Sequence, residues 1–286
     1  MISDITLGQF FPGYSVIHKL DPRTKIILAT IFIVSVFLSN NPVSFFVIAL
    51  MTIFMVFLSR ISLRVILKGL KPILFILVFT ALLNVFVTQG DSKPLITFWV
   101  INIYTEGMVR AVFMAFRIIL LIVGTSILLT YTTSPIALTD GIESLLSPLK
   151  KIKVPVHTFA MMMSIALRFI PTLVEETEKI MNAQKSRGAD FSSGGLIRRA
   201  KALVPILVPL FVSAFKRAEE LATAMECRCY RGDKNRTKLV KLEYKGRDFL
   251  WMILYVILLV AILVATILPY NMSLFGRIYD VIFYRV

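Results

Sequence analysis

Cysteine and histidine are nearly missing from this chain: its 286 residues hold two of each, Cys227 with Cys229 and His18 with His157. Two cysteines one residue apart rule out a disulfide framework and a four-ligand zinc site. If their segment is cytosolic, both stay reduced. Two distant histidines offer neither a metal centre nor a paired catalytic base. Acidic residues are also scarce, 17 against 32 lysines and arginines, for a formal net charge of +15. No basic run is interleaved with aromatics, so a nucleic-acid surface is not expected. There is no glycine-rich phosphate loop ending in Lys-Ser or Lys-Thr and no Gly-x-Ser-x-Gly elbow. The chain is expected to catalyse nothing by itself and to hold no cofactor or metal.

What the chain has in excess is hydrocarbon. Hydrophobic residues make up 57%, with 22 phenylalanines and a mean hydropathy of +0.80. That is too apolar for a soluble domain of this size and implies several bilayer spans. Five segments qualify: Ile26–Leu38, Val43–Leu58, Ile73–Val87, a stretch within Gly107–Tyr131, and one within Phe249–Leu268. In such a protein the basic excess belongs to cytoplasmic loops and to contacts with anionic lipid headgroups. Residues 1–25 lack the apolar core and cleavage site of a secretory signal, so the first span is expected to stay as an anchor.

Loop charges set the expected orientation. The first turn, Asn40-Asn41-Pro42, carries none, whereas the next connection has Arg60, Arg64, Lys68 and Lys71. The positive-inside rule places the N-terminus, with Lys19, Arg23 and Lys25, in the cytoplasm and the C-terminus outside. Asp21-Pro22-Arg23-Thr24-Lys25 reads as a turn positioning the first span, with Lys25 at the headgroups. Arg110 and Arg117 share a face of the fourth segment, and their role stays open.

Residues 132–248, between the fourth and fifth spans, hold most of the charge yet keep an apolar stripe. "TTSPIALTDGIESLLSPLKK" predicts a short helix with Pro135 in its first turn. A longer helix follows from Val156 to Arg187, with Gly188 as a left-handed cap. A third runs from Leu196 to Arg231, and Pro205 and Pro209 are expected to kink or break its first half. The predicted fold is therefore all-α. It comprises four spans in 1–131, three amphipathic helices in 132–248, and a last span with an external tail in 249–286.

Both long helices end in an arginine, within "NAQKSRGADFSSGG" and "TAMECRCYRGDKNR". A cation in the last turn suits the helix dipole. However, Ala183 and Ala224 stand where an acidic partner four residues earlier would pair with Arg187 or Arg228. Each guanidinium is thus available to fork onto carboxylates of another protein.

These segments resemble the paired Ala-Arg-Gly-type motifs of the T component, the transmembrane coupling protein of energy-coupling factor (ECF) transporters. "GQFFPGYSVIHKLDPRTKI" is similar to that family's N-terminal signature, and "ALRFIPTLVEE" and "AKALVPILVPLFVSAFKRAEELATAMECR" to its coupling helices. The likeness runs from the N-terminus to about Lys245. It implies a membrane bracket that holds a substrate-binding S component and docks its two arginine tips into two ABC ATPase subunits, A and A′. ATP-driven closure of the ATPases then reorients the S component, which carries a vitamin or metal ion. Carried over by residue, Ser186-Arg187-Gly188 is the first docking motif and Cys227-Arg228-Cys229 the second.

The second motif has cysteine where the family pattern has glycine, which makes a left-handed cap costly. Continuation of the helix to Gly232 leaves Arg231-Gly232 as an alternative tip. Met161-Met162-Met163 offers an adaptable S-component contact surface, the alternative being an ordinary helix-packing face. The competing readings are a conventional ABC permease and a stand-alone secondary carrier, which needs charged or broken helices at the midplane.

Overall fold

In a computed structural model the described residues are 10–39, 41–88, 96–98, 101–189, 191, 195–232 and 242–267. They form nine α-helices: α1 Pro22–Leu38, α2 Pro42–Ser59, α3 Leu63–Leu70, α4 Leu74–Val87, α5 Thr105–Thr125, α6 Pro135–Leu145, α7 Val156–Ser186, α8 Leu196–Cys227 and α9 Gly246–Ile267. The described β-structure is one short antiparallel hairpin, Ile96–Phe98 with Ile101–Ile103. α5 runs directly into a π-helical turn, Ser126–Tyr131. The chain forms two compact units, one from residues 10–134 with 242–267 and one from 135–232.

Among the described residues, five helical segments are long and apolar enough to cross a membrane: Pro42–Ser59, Leu63–Val87, Gly107–Tyr131, Val156–Ser186 and Gly246–Val264. Four correspond to expected spans, and the 31-residue α7 joins them. α1, the first expected span, is one residue shorter than α2 and lies at the lower end of the ~17–25 residues that a span takes.

The first unit is built around α1, whose residues are apolar on every side. Leu28, Ala29, Phe32, Ser35 and Val36 are buried, and Phe32 and Val36 join Ile48 and Met55 of α2, Ile127 and Leu128 of the π-turn, and Tyr255 and Ile262 of α9 in one core. α1 and α5 run antiparallel, and a basic residue fastens each end. At one end Lys25 Nζ donates to the Thr132 carbonyl at 2.7 Å; at the other, Arg117 donates to the Ser39 carbonyl at 2.6 Å. Each cation thereby satisfies a carbonyl left over at the other helix's C-terminus, where negative partial charge collects. Arg117 also lies over the Phe45 ring, 5.2 Å from its centroid. It sits inside the Gly107–Tyr131 segment.

Midway between these fastenings the helices touch through Gly124. A Cβ there would overlap the ring of the buried Phe32, so the ring or the two helices would have to shift. Small residues permit this close approach in membrane helices. Gly124→Ala is expected to cost about 1–3 kcal/mol by overpacking. Lower thermal stability in detergent checks this, and Phe32→Leu in the same chain should recover part of the loss.

Several hydroxyls inside the helices donate to carbonyls of their own helix. Thr52 donates to the Ile48 carbonyl at 2.8 Å and Thr125 to Leu121 at 2.7 Å. This is the arrangement an apolar solvent demands, because no water is present to take the hydrogen bond.

Candidate functional site

The second unit presents the two arginines. α7 and α8 pack together and run in opposite directions. Tyr230 Oη donates to Met161 Sδ at 3.2 Å, and Arg217 pairs with Glu176 at 3.3 Å further along. Arg228 therefore lies beside the first turns of α7, and Arg187 closes its far end. Met161 to Arg187 is 26 residues. At ~1.5 Å per residue the tips stand on the order of 40 Å apart.

Both helices end in the same Schellman geometry. At the end of α7, Gly188 N–H donates to Lys185 O at 2.9 Å and Ala189 N–H to Gln184 O at 3.0 Å. At the end of α8, Cys229 N–H donates to Glu226 O at 2.8 Å and Tyr230 N–H to Met225 O at 3.0 Å. Arg187 and Arg228 are the C-caps, with φ, ψ of −87°, 8° and −89°, 14°. The residues after them are left-handed, Gly188 at φ +85° and Cys229 at φ +57°. The expectation that cysteine would push α8 on towards Gly232 is thus corrected. The paired 6→1 and 5→2 hydrogen bonds outweigh the side-chain strain, and α8 stops at Cys227. Arg231 and Gly232 lie beyond the cap, off the helix.

Arg187 and Arg228 are exposed, and among the described residues no side chain pairs with either. Cys227 and Cys229 are free and exposed, so neither packs as a small buried filler. α8 also runs unbroken through Pro205 and Pro209, both exposed.

The three methionines do not form one surface, since successive helical residues point ~100° apart. Met161 accepts from Tyr230, Met162 is exposed, and Met163 lines a groove between α6 and α7. Beneath that groove a buried His157 Nδ1 meets Glu143 Oε1 at 2.9 Å.

A polar knot in the first unit escaped the sequence reading. Asp21 caps α1, accepting from Arg23 N–H at 2.9 Å with Pro22 in the first turn, so the segment read as a turn is the helix's own beginning. Lys25, however, is 2% exposed, with its ammonium turned into the protein. Besides Thr132 O, its ammonium reaches Thr133 Oγ1 at 3.2 Å and His18 O at 3.4 Å. Asp248, at the start of α9, accepts from Asp21 N–H at 2.9 Å and from Lys245 N–H at 2.8 Å.

Arg23 stacks over Tyr244, 4.0 Å from the ring centroid, and its carboxylate partner Asp21 raises its pKa. His18 bridges Ser15 and the Phe11 carbonyl. Burial first, and then the charge of Lys25, lowers its pKa against the opposing pull of that carbonyl. Nothing beside Lys25 in the sequence announces this burial, because two of its three acceptors lie 107 and 108 residues away.

The cobalt transport protein family matches residues 13–239. The energy-coupling factor transporter transmembrane protein EcfT of Clostridium kluyveri is 55% identical over 250 residues, covering 87% of this chain and 92% of the relative. That of Bacillus subtilis is 51% identical over 248 residues, 87% and 93%. The Brevibacillus brevis protein is 50% identical over 262 residues, 92% and 98%. The chain belongs to the family of energy-coupling factor transporter transmembrane proteins.

As an energy-coupling factor transporter transmembrane protein it is a multi-pass membrane protein, and the family match spans both capped arginines and Asp21 to Lys25. The departure at Cys229 is testable by stability. Cys229→Gly removes left-handed strain of about 1–2 kcal/mol, offset by the entropy that glycine loses on folding, about 0.5–1 kcal/mol. A net gain of about 0.5–1 kcal/mol is expected, read as slower amide exchange in the last turn of α8.

Proposed function

We propose that this chain is the non-catalytic coupling subunit of an ATP-driven importer. Arg187 and Arg228 dock into two ABC ATPase subunits, with Ser186, Gly188, Cys227 and Cys229 shaping the tips. The observation that carries the reading is the pair of identically capped, exposed arginines at opposite ends of one helix pair, neither of them paired with a side chain among the described residues. A Schellman cap fixes the backbone that bears each guanidinium, so a push on the tip passes into the helix axis. Two tips on the order of 40 Å apart suit two motor subunits better than one.

The membrane helices are read as the bracket for a substrate-binding S component, with the methionine-bearing start of α7, Met162 foremost, as part of the contact. The cargo is a vitamin or another micronutrient. α7 acts as a coupling helix instead of a span, because its second half carries Glu175, Glu176, Glu178 and Lys179. The N-terminus and the helices of 132–248 face the cytoplasm of a bacterial cell.

Purification from detergent tests the assembly. Two ATPases and one S component are expected to co-isolate. A homodimer with a single ATPase type would point to a conventional permease, and uptake that persists without ATP under an ion gradient to a secondary carrier. The native thiols test the orientation, since Cys227 and Cys229 are exposed and are the chain's only cysteines. A membrane-impermeant maleimide should label them in inverted vesicles and leave them unlabelled in intact cells.

A further inference from the structure

α6 and α7 enclose an open groove of about 420 Å³. Its walls are apolar: Ile142, Leu146, Phe159 and Met163 all show more than 40% of their surface. Two polar side chains line it, and both are engaged. Thr139 donates to the Pro135 carbonyl at 3.0 Å, and Glu143 faces His157. A sugar, nucleotide or other polar ligand finds no unmet hydrogen-bonding group there, whereas a hydrocarbon chain finds continuous contact. The lining extends along α6 from Pro135 to Leu146. Those 11 steps span ~16 Å of helix, comparable to one leaflet's share, ~15 Å, of the bilayer core.

One end of the groove is strongly basic. Leu146 and Val154 line it, and the 3₁₀ turn between them, Ser147–Ile152, leads into Lys153. Lys150, Lys151 and Lys153 are exposed, and no acidic residue lies in 147–155. The turn is held in shape. Lys153 is left-handed at φ +63° and donates to Lys150 O at 3.1 Å, and Val154 N–H donates to Leu149 O at 3.4 Å. Pro148 and Pro155 restrict the turn further. Between the lysines Ile152 stands 74% exposed, an apolar tip among cations of the kind found at membrane interfaces. A hydrocarbon trough ending in fixed positive charge is complementary to one class of molecule.

We propose that the α6–α7 groove binds an anionic phospholipid, its acyl chain lying along Ile142, Phe159 and Met163 and its phosphate held by Lys150, Lys151 and Lys153. The test uses the full chain carrying Phe159→Trp, a replacement at an exposed position, in vesicles with bromine on the acyl chains. The signal of the parent protein is subtracted. Brominated phosphatidylglycerol is expected to quench the added indole with on the order of tenfold higher apparent affinity than brominated phosphatidylcholine, given three lysines at an anionic headgroup.

Lys150→Gln with Lys151→Gln and Lys153→Gln should bring that preference close to one. Arg64→Gln with Lys68→Gln and Lys71→Gln, which removes equal charge from the neighbourhood of α3, should leave it intact. Equal quenching by both lipids would overturn the proposal, as would equal loss in the two triple variants, which would mean bulk attraction only. Vesicle-bound protein resistant to quenching by either lipid would also overturn it, showing the groove closed to lipid or filled by a protein partner.

Discussion

Arg187→Glu combined with Arg228→Glu is expected to abolish ATP-driven uptake while the S component still co-purifies. An interfacial cation replaced by an anion loses its own hydrogen bonds and also sets two carboxylates against each other. Truncating one partner of a buried charge pair usually weakens association on the order of 30-fold or more, and reversal at both tips compounds the loss. Pull-down of the ATPases through the tagged chain, followed by uptake in proteoliposomes, reads the effect. Arg231→Glu is the internal control. It makes the same charge change three residues on, beyond the Schellman turn that closes α8, and should leave both readouts near wild type. Full uptake in the double variant, or equal damage from Arg231→Glu, would remove the docking role. Lysine at both positions should rescue only in part, because a single ammonium cannot reproduce the planar fork.

The second large effect is expected at Asp248→Ala. This carboxylate is 2% exposed and accepts the backbone N–H groups of Asp21 and Lys245. Hydrogen bonds to charged groups contribute about 1.5–3 kcal/mol each, and a buried donor left unpaired costs its full desolvation. A loss of about 3–5 kcal/mol follows for the two together. Removing the carboxylate also leaves the buried Lys25 ammonium with less compensating charge. Asp248→Asn keeps one acceptor oxygen and the same shape, so it should lose about half as much. Thermal unfolding in detergent ranks the three proteins. Limited proteolysis locates the damage, with cleavage expected first in residues 10–21, which the knot fastens down. Equal stability of the alanine and asparagine variants would show that the hydrogen bonds contribute nothing.

The helix ends illustrate how far sequence reading reaches. Gly188 announces the end of α7 because an unhindered left-handed residue after an amphipathic run has a local physical meaning, and the structure places it at φ +85°. Cys229 carries the opposite local signal, yet adopts the same conformation at φ +57°. There Tyr230 provides both the N–H that closes the motif and the hydroxyl that reaches Met161. A contact with another helix helped decide what one residue's preference would have decided differently. The prolines of α8 repeat the lesson, since missing donors at Pro205 and Pro209 did not end the helix.

Lys25 shows the limit most sharply. A lysine at the start of an apolar run reads as a headgroup anchor, because the run reveals only that water lies at one end. Its three oxygen acceptors come from residues 18, 132 and 133, and only packing of α1 against α5 assembles them. The same holds for the methionines. Three in a row suggest one adaptable surface, but the helical turn distributes them among α8, solvent and the groove.

By itself, then, the sequence determined the helical class, most of the membrane helices and the two arginines that end the long helices. These follow from hydropathy, periodicity and composition, which are properties of neighbours along the chain. Tertiary structure alone decided the burial of Lys25 under Asp248's half of the knot, the opposed placement of the two arginine tips, and the apolar groove capped by lysines. Each depends on groups far apart in sequence being brought within a few ångströms, where desolvation and directed hydrogen bonds, instead of local preference, set the outcome.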